Sequence, residues 1–167
     1  MFDFGVEGYE PRWLRSRDAV ERAHGPRLRA LAGRVLTRTW TVWDLRDDEW
    51  FADCPVLFDF DGERVEVNHG KLDEVSLTWN SIDPGRPVHW PGFDLEWRFD
   101  PLPGLAALRG QALERAELLV WSGKDAAEGN VDVSFVFPDA RVSVFNALDE
   151  NGLAFGPPRL TGCAVKR

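Results

Sequence analysis

Hydrophobic and polar residues alternate in two short stretches on either side of an Asp-Gly pair. Val56–Phe60 precedes Asp61-Gly62, and Glu63–Val67 follows it. Strand side chains alternate with a period of two, and Asp-Gly favours a two-residue hairpin turn. The pattern predicts a β-hairpin in which Phe58 faces Val65 on the core side of a sheet.

The same pattern recurs at an offset of 77 residues, as from Gly33 to Gly110. Residues 28–79 are repeated as 105–155, with small slips where loops tolerate insertion. Matched pairs include Leu28 and Leu105, Leu31 and Leu108, Val56 and Val133, Phe58 and Phe135, Val65 and Val142, Val67 and Val144, and Trp79 and Phe155. Two long copies of this kind predict a pseudo-twofold domain.

The alternating pattern in each copy predicts three or four antiparallel strands. A longer strand, Arg34–Asp44 or Gln111–Trp121, comes before the hairpin, and a short strand ending in an aromatic residue follows it. The fold class is therefore mainly β (α+β), with the duplicated unit forming one curved sheet, a sandwich or a partly closed barrel. The hairpin's outer face, with Asp59, Arg64 and Glu66, is predicted to meet solvent.

Two segments have no counterpart in the other copy. Residues 13–24 have helical spacing, and Gly25-Pro26 is expected to end that N-terminal helix. Residues 80–104 form a Pro- and Gly-rich connector that contains a strand-like stretch, Asp94–Phe99. The whole chain, 1–167, is expected to be a single domain.

The charge balance narrows the choice of partners. With 28 acidic against 20 basic residues the net charge is −8, which disfavours nucleic acid and anionic membranes and favours a basic protein or a cationic ligand. No apolar run is long enough to span a membrane and no N-terminal signal is visible, so we expect the cytoplasm. Arginine greatly outnumbers lysine, which is typical of a GC-rich bacterial genome. Whether Cys54 and Cys163 are paired stays open.

The chain contains no nucleotide-binding loop, nucleophile elbow, metalloprotease helix or Ca²⁺ loop. We therefore expect no cofactor and no metal, and consider catalysis less favoured than binding. The repeated Leu-Asp-Glu triplets place Asp73, Glu74, Asp149 and Glu150 at equivalent positions. They could bind a cation or a basic partner, but we favour aspartates that accept main-chain N–H groups in tight turns.

The connector supplies a candidate ligand site. His89, Trp90, Phe93 and Trp97 could form an aromatic wall with one titratable group in a cleft between the copies. Such a wall suits a flat organic ligand, a sugar or a cation. The alternative is that these aromatic side chains cap an open end of the sheet.

An acidic loop supplies a candidate partner site. Asp47, Asp48 and Glu49 lie next to Trp50, and carboxylates around an exposed tryptophan could dock a basic protein. The alternative is a solvated loop with Trp50 turned inward.

These features favour a non-catalytic bacterial interaction module, which could bind a basic protein. The comparison with immunity proteins is by analogy of size and charge only. The alternative is a small-molecule-binding protein or an enzyme with a Trp-lined cleft between the repeats. Homodimerisation through open sheet edges is a third hypothesis.

Overall fold

The computed structural model describes residues 4–156 and the backbone of 163–165. Its helices are α1 (Arg17–Arg29) and α2 (Pro103–Ala106). Its strands are β1 (Leu36–Asp44), β2 (Glu49–Trp50), β3 (Val56–Phe60), β4 (Glu63–His69), β5 (Val75–Trp79), β6 (Leu95–Phe99), β7 (Arg115–Trp121), β8 (Val131–Val136), β9 (Arg141–Asn146), β10 (Asn151–Phe155) and β11 (Cys163–Val165).

The strands form two antiparallel sheets, which confirms the predicted β-rich class. The first has the order β2-β1-β3-β4-β5, with β6 also paired to β1, and the second has the order β10-β9-β8-β7-β11. Within the described residues neither sheet closes into a barrel. Strands β1, β3, β4 and β5 lie in the same order as β7, β8, β9 and β10, so each copy of the repeat builds one sheet.

The main core lies between the two sheets. In the first hairpin Phe58 pairs with Val65, as the alternation predicts, and in the second Phe135 pairs with Val142. All four side chains are fully buried. The ring of Phe135 lies 4.7 Å from that of Phe58, which joins the sheets through their inner faces. Truncating such a buried aromatic ring typically costs about 3–5 kcal/mol.

The copies also share a main-chain junction at the start of β1. Gly33 N–H donates to the carbonyl of Leu113, and Gly110 N–H donates to that of Leu36, each at 2.8 Å. Gly33 and Gly110 have φ values of 85° and 86°, a left-handed conformation that glycine adopts without a Cβ penalty. The equivalent donors and acceptors make this junction a pseudo-twofold contact.

The outer face of the first sheet is covered, so the prediction of a solvated face is wrong there. Glu66 has no exposed surface, and Asp59 and Arg64 are half-buried and paired at 2.8 Å. The N-terminal segment and the connector lie over this face and form a second apolar cluster. It contains Val6, Tyr9, Val42, Phe51, Cys54, Leu57, Ile82, Val88, Leu95 and Trp97. Cys54 is a buried free thiol, and the side chain of Cys163 lies outside the described residues.

Glu66 fastens the connector to this face. Its Oε2 accepts the main-chain N–H groups of Ser81 and Ile82 at 3.0 and 2.7 Å. Its Oε1 accepts the hydroxyls of Thr78, at 2.6 Å, and of Ser81. A buried carboxylate needs such donors to offset its desolvation.

Helix α1 differs from the predicted helical segment at both ends. It begins after Ser16, whose hydroxyl accepts the N–H of Ala19, and it continues through Pro26 to Arg29. Continuing a helix through an interior proline usually costs about 3 kcal/mol. Burial of the Leu28 side chain in the main core offsets this cost, so the helix does not end at Gly25-Pro26 as predicted. Trp13 consequently lies outside the helix.

Replacing Glu66 with Gln should lower the free energy of unfolding by about 3 kcal/mol. The Gln amide nitrogen cannot accept the donors that one carboxylate oxygen accepts now, and hydrogen bonds to buried charged groups are strong. Urea denaturation would measure the loss. Glu96→Gln, at an exposed site paired with Arg98, should stay within about 0.5 kcal/mol of the wild type. Equal losses would contradict the anchoring role.

Candidate functional site

The two Leu-Asp-Glu turns meet at one end of the domain. Asp149 Oδ1 accepts the main-chain N–H of Leu72 at 2.7 Å. Asn146 Nδ2 donates to the carbonyls of Gly70 and Leu72 at 2.9 and 2.8 Å. The predicted hydrogen bond from a main-chain N–H to a turn aspartate is therefore present at Asp149, but its donor belongs to the other copy.

Both turns expose a leucine in an unusual backbone conformation. Leu72 has φ of 59° and Leu148 has φ of 60°, and their side chains are 65% and 90% exposed. Positive φ is rare for a bulky side chain and typically costs on the order of 1–3 kcal/mol. The turns therefore present two apolar side chains to solvent at an energetic cost. We call the surface formed by Leu72, Leu148, Asp149 and Glu150 the turn surface.

A cavity of about 460 Å³ opens beside the turn surface. Its aromatic walls come from segments that are not repeated, the N-terminal segment and the connector. Its polar lining comes from the turns of both copies and from the residue before Cys54. We call it the aromatic cavity, and its lining residues are Phe4, Pro11, Trp13, Asp53, His69, Gly70, Lys71, Glu74, Trp90 and Asp149.

Local chain geometry sets the position of Trp13. The N–H of Leu14 donates to the carbonyl of Val75 at 2.8 Å, and Val75 N–H donates back at 3.0 Å, so this segment lies along the edge of β5. Trp13 then packs over Gly70. A Cβ on Gly70 would lie 3.0 Å from the indole ring, so the close approach depends on glycine. The ring of Phe4 lies 6.1 Å from Trp13 and 6.2 Å from Trp90.

The carboxylates around the cavity are only partly neutralised. Glu74 pairs with Arg15 at 2.9 Å, but Asp53, Asp149 and Glu150 form no ion pair with a described residue. Burial raises the pKa of Asp53 above its ordinary value. Partial burial, and then repulsion from Asp53 and Glu49, raises the pKa of Glu150. This end of the domain therefore carries negative charge that a cation would stabilise.

A buried polar network supports the floor of the cavity. Asn151 Oδ1 accepts the main-chain N–H of His69 at 2.8 Å, and Asn151 Nδ2 donates to Asn68 Oδ1 at 2.8 Å. His69 Nε2 lies 2.9 Å from the carbonyl of Val131, and Nδ1 lies 3.2 Å from Asn151 Oδ1. Asn68 Nδ2 also donates to the hydroxyl of Tyr9. The network ties both sheets to the N-terminal segment.

The four candidate ligand residues of the connector do not lie together in the structure. His89, Trp90 and Phe93 line a separate hollow of about 500 Å³ on the surface, whereas Trp97 is buried on β6 in the second apolar cluster. The connector lies over the outer face of the first sheet, and the main core fills the space between the copies. Trp90 alone of these four residues also lines the aromatic cavity.

The candidate partner residues of the acidic loop lie at the hairpin between β1 and β2. Asp48 accepts the indole N–H of Trp43 at 2.9 Å and lies 3.6 Å from Arg98, so its charge is already compensated. Asp47 and Glu49 are exposed, and Glu49 acts electrostatically on Glu150. Trp50 is half-buried against the main core, which agrees with the inward alternative.

No group of three or more metal-ligating side chains is present among the described residues. Neither helix in the described part of the chain is long and apolar enough to cross a membrane. The sequence matches no known protein family, and comparison with curated proteins and with solved structures gives no match. The function must therefore be inferred from the site itself.

Several cavity residues carry no sequence signal. Phe4, Asp53 and Lys71 lie in segments without periodicity or motif, and only the folded chain places them near Trp90. The repeated triplets were the usable signal, because equivalent turns in a pseudo-twofold domain can meet at one end.

Replacing His69 with Asn should flatten the pH dependence of stability. Burial lowers the pKa of His69 below its ordinary value of about 6.5, so the unfolded chain binds a proton that the folded chain resists. The stability contributed by neutral His69 is thus present above about pH 6.5 and falls by up to about 1.4 kcal/mol per pH unit below it. Urea denaturation between about pH 7.5 and 5.5 would compare the slopes.

The variant should keep a smaller residual slope from His24, whose pKa is also lowered, first by burial and then by Arg27 and Arg12. Identical slopes in wild type and variant would show that His69 titrates normally.

Proposed function

We propose that this chain is a non-catalytic binding module that docks a basic segment of a protein partner on the turn surface. One cationic side chain of that segment enters the aromatic cavity. The observation that carries the proposal is the meeting of two exposed leucines and three carboxylates beside a cavity walled by aromatic rings, where no described residue forms an ion pair with those carboxylates.

The leucines supply the apolar part of the interface. Leu148 is 90% exposed and Leu72 is 65% exposed, and both are held at positive φ. Large exposed apolar side chains grouped together are typical of interaction surfaces, and backbone strain concentrates at functional sites. Burial of each leucine by a partner would contribute about 1.5–3 kcal/mol.

The cavity supplies the specific part of the interface. A guanidinium or ammonium group is attracted to the faces of tryptophan rings, and Trp13 and Trp90 both line the cavity. Asp53 and Asp149 add carboxylates at the same place. Lys71 on the rim is the cation among the lining residues, and it is exposed. Desolvated charge-assisted contacts of this kind give hot spots in interfaces.

A second candidate is a neutral small molecule bound in the same cavity. Its volume of about 460 Å³ lies in the range of ordinary ligand pockets, and its aromatic walls would suit a flat organic ring. The two candidates differ in charge, because only the first requires the carboxylates.

N-acetyl-arginine amide should bind the wild-type chain with a dissociation constant on the order of 1 mM, as expected for a small ligand. N-acetyl-citrulline amide has nearly the same shape without the charge and should bind at least about tenfold more weakly. Titration followed by ¹H–¹⁵N NMR should move the indole signals of Trp13 and Trp90, and added salt should weaken binding. Equal binding of the citrulline probe would overturn the basic-partner proposal in favour of the neutral ligand, and no saturable shift with either probe would overturn both.

Asp53→Asn should make the chain more stable and make it bind the arginine probe more weakly. Because the folded-state pKa of Asp53 is raised, the ionised carboxylate destabilises the fold at neutral pH. Its removal should therefore raise the unfolding free energy by about 0.5 kcal/mol, a gain limited by partial exposure. Urea denaturation and the arginine titration would be run on the same protein.

Asp47→Asn is the matched control, since Asp47 is an exposed carboxylate at the β1–β2 hairpin and does not line the cavity. It should leave both quantities unchanged. Loss of stability in Asp53→Asn without loss of probe affinity would assign Asp53 a structural role instead.

A further inference from the structure

A second cavity, of about 390 Å³, lies between the N-terminal segment, helix α1 and strand β5. Its polar lining differs from that of the aromatic cavity, because it contains two arginines beside its histidine. Its lining includes Glu10, Arg12, His24, Arg27, Thr78 and Trp79.

His24 is fixed in one neutral tautomer. The indole Nε1–H of Trp79 donates to His24 Nδ1 at 3.1 Å. An indole N–H is only a donor, so Nδ1 must accept and the ring proton must be on Nε2. Burial, and then the charges of Arg27 and Arg12, lowers the pKa of His24, which agrees with a neutral ring. His24 Nε2–H forms no hydrogen bond with a described residue and is available as a donor.

The Arg27 guanidinium is held by two contacts that leave its Nη1 able to donate to a ligand. Its guanidinium stacks 4.5 Å above the ring of Trp79. Its Nε and Nη2 lie 2.7 and 2.6 Å from Glu63 Oε1, and Nη1 forms no hydrogen bond with a described residue. Stacking and this two-nitrogen contact position the group before any ligand arrives.

Arg12 completes the donor set. Its main-chain N–H is bound to Ser76 Oγ at 2.9 Å, whereas its guanidinium has no ion pair with a described residue. Glu10, also exposed, is the carboxylate in this lining and opposes an anion. The hydroxyl of Thr78 is already used by Glu66.

We propose that this cavity binds an oxyanion, a carboxylate or a phosphate, through Arg12, Arg27 Nη1 and the Nε2–H of His24. Oxyanions accept several hydrogen bonds at once, and guanidinium groups match their geometry. The proposal is independent of the turn surface. That surface lies where the two turns meet, and it carries carboxylates, whereas this cavity presents cationic and N–H donors.

The comparison of the two copies supports a site specific to the first copy. Trp79 corresponds to Phe155 in the second copy, where the ring packs on Gly104. A phenyl ring would fill space as well but could not fix the tautomer of a histidine. The indole N–H occurs where the unrepeated helix α1 brings His24 to the sheet.

Titration with inorganic phosphate and, separately, with acetate tests the proposal. Each probe that binds should move the assigned indole signal of Trp79 and the ring ¹⁵N signals of His24, with a dissociation constant on the order of 1–10 mM. Arg12→Gln should weaken binding about tenfold, and Glu10→Gln should strengthen it. Binding of phosphate alone or acetate alone would identify the headgroup. No saturable shift with either probe would overturn the proposal.

Two further variants separate binding from structure. Arg22→Gln changes an exposed arginine that does not line the cavity and should leave the affinity unchanged. Trp79→Phe, which copies the residue of the second repeat, should release Nδ1, so that His24 shows mixed tautomers in its ¹⁵N spectrum and binds the probe several-fold more weakly. An unchanged tautomer or equal losses in Arg12→Gln and Arg22→Gln would overturn the assignment.

Discussion

Reciprocal main-chain hydrogen bonds between the two copies set the geometry of the whole domain. Gly33 and Gly110 donate across the junction to Leu113 and Leu36, and the next pair of bonds repeats the exchange, from Leu36 to Gln111 and from Leu113 to Arg34. Each copy alone would expose the inner face of its sheet, including Phe58 or Phe135. The junction places these two inner faces against each other. The main core therefore forms only when the two copies pair.

The symmetry of the junction is lost at the turns. Asn146 donates to the carbonyls of Gly70 and Leu72, but the equivalent position in the first copy is His69, which bonds to Val131 and Asn151 instead. One turn therefore supports the other, and both leucines stay exposed. The buried network around Asn151 fixes this arrangement, because each of its polar atoms would be costly to leave unpaired in the core.

The sequence predicted the parts of the fold that depend on local periodicity. The register of Phe58 with Val65 and the inward faces of both hairpins follow from alternation and an Asp-Gly turn. The covered outer face could not be predicted, because Glu66 looks like a surface residue until the connector supplies its donors. The extension of α1 through Pro26 likewise depends on the burial of Leu28. For the candidate site, Trp90 and the turn acids were visible in the sequence, whereas Trp13 and Asp53 needed the fold.

The unrepeated segments give each candidate site its chemistry. A duplicated scaffold would present equivalent side chains in pairs. The two ends of the first sheet differ because the N-terminal segment, α1 and the connector add side chains that have no counterpart in the other copy. Trp13 and Trp90 bring aromatic faces to the carboxylates of the turns, and Arg12, His24 and Arg27 bring donors to the far end of β5. Since these segments also cover apolar sheet surface, the same contacts that stabilise the fold hold the site residues in position before a ligand binds.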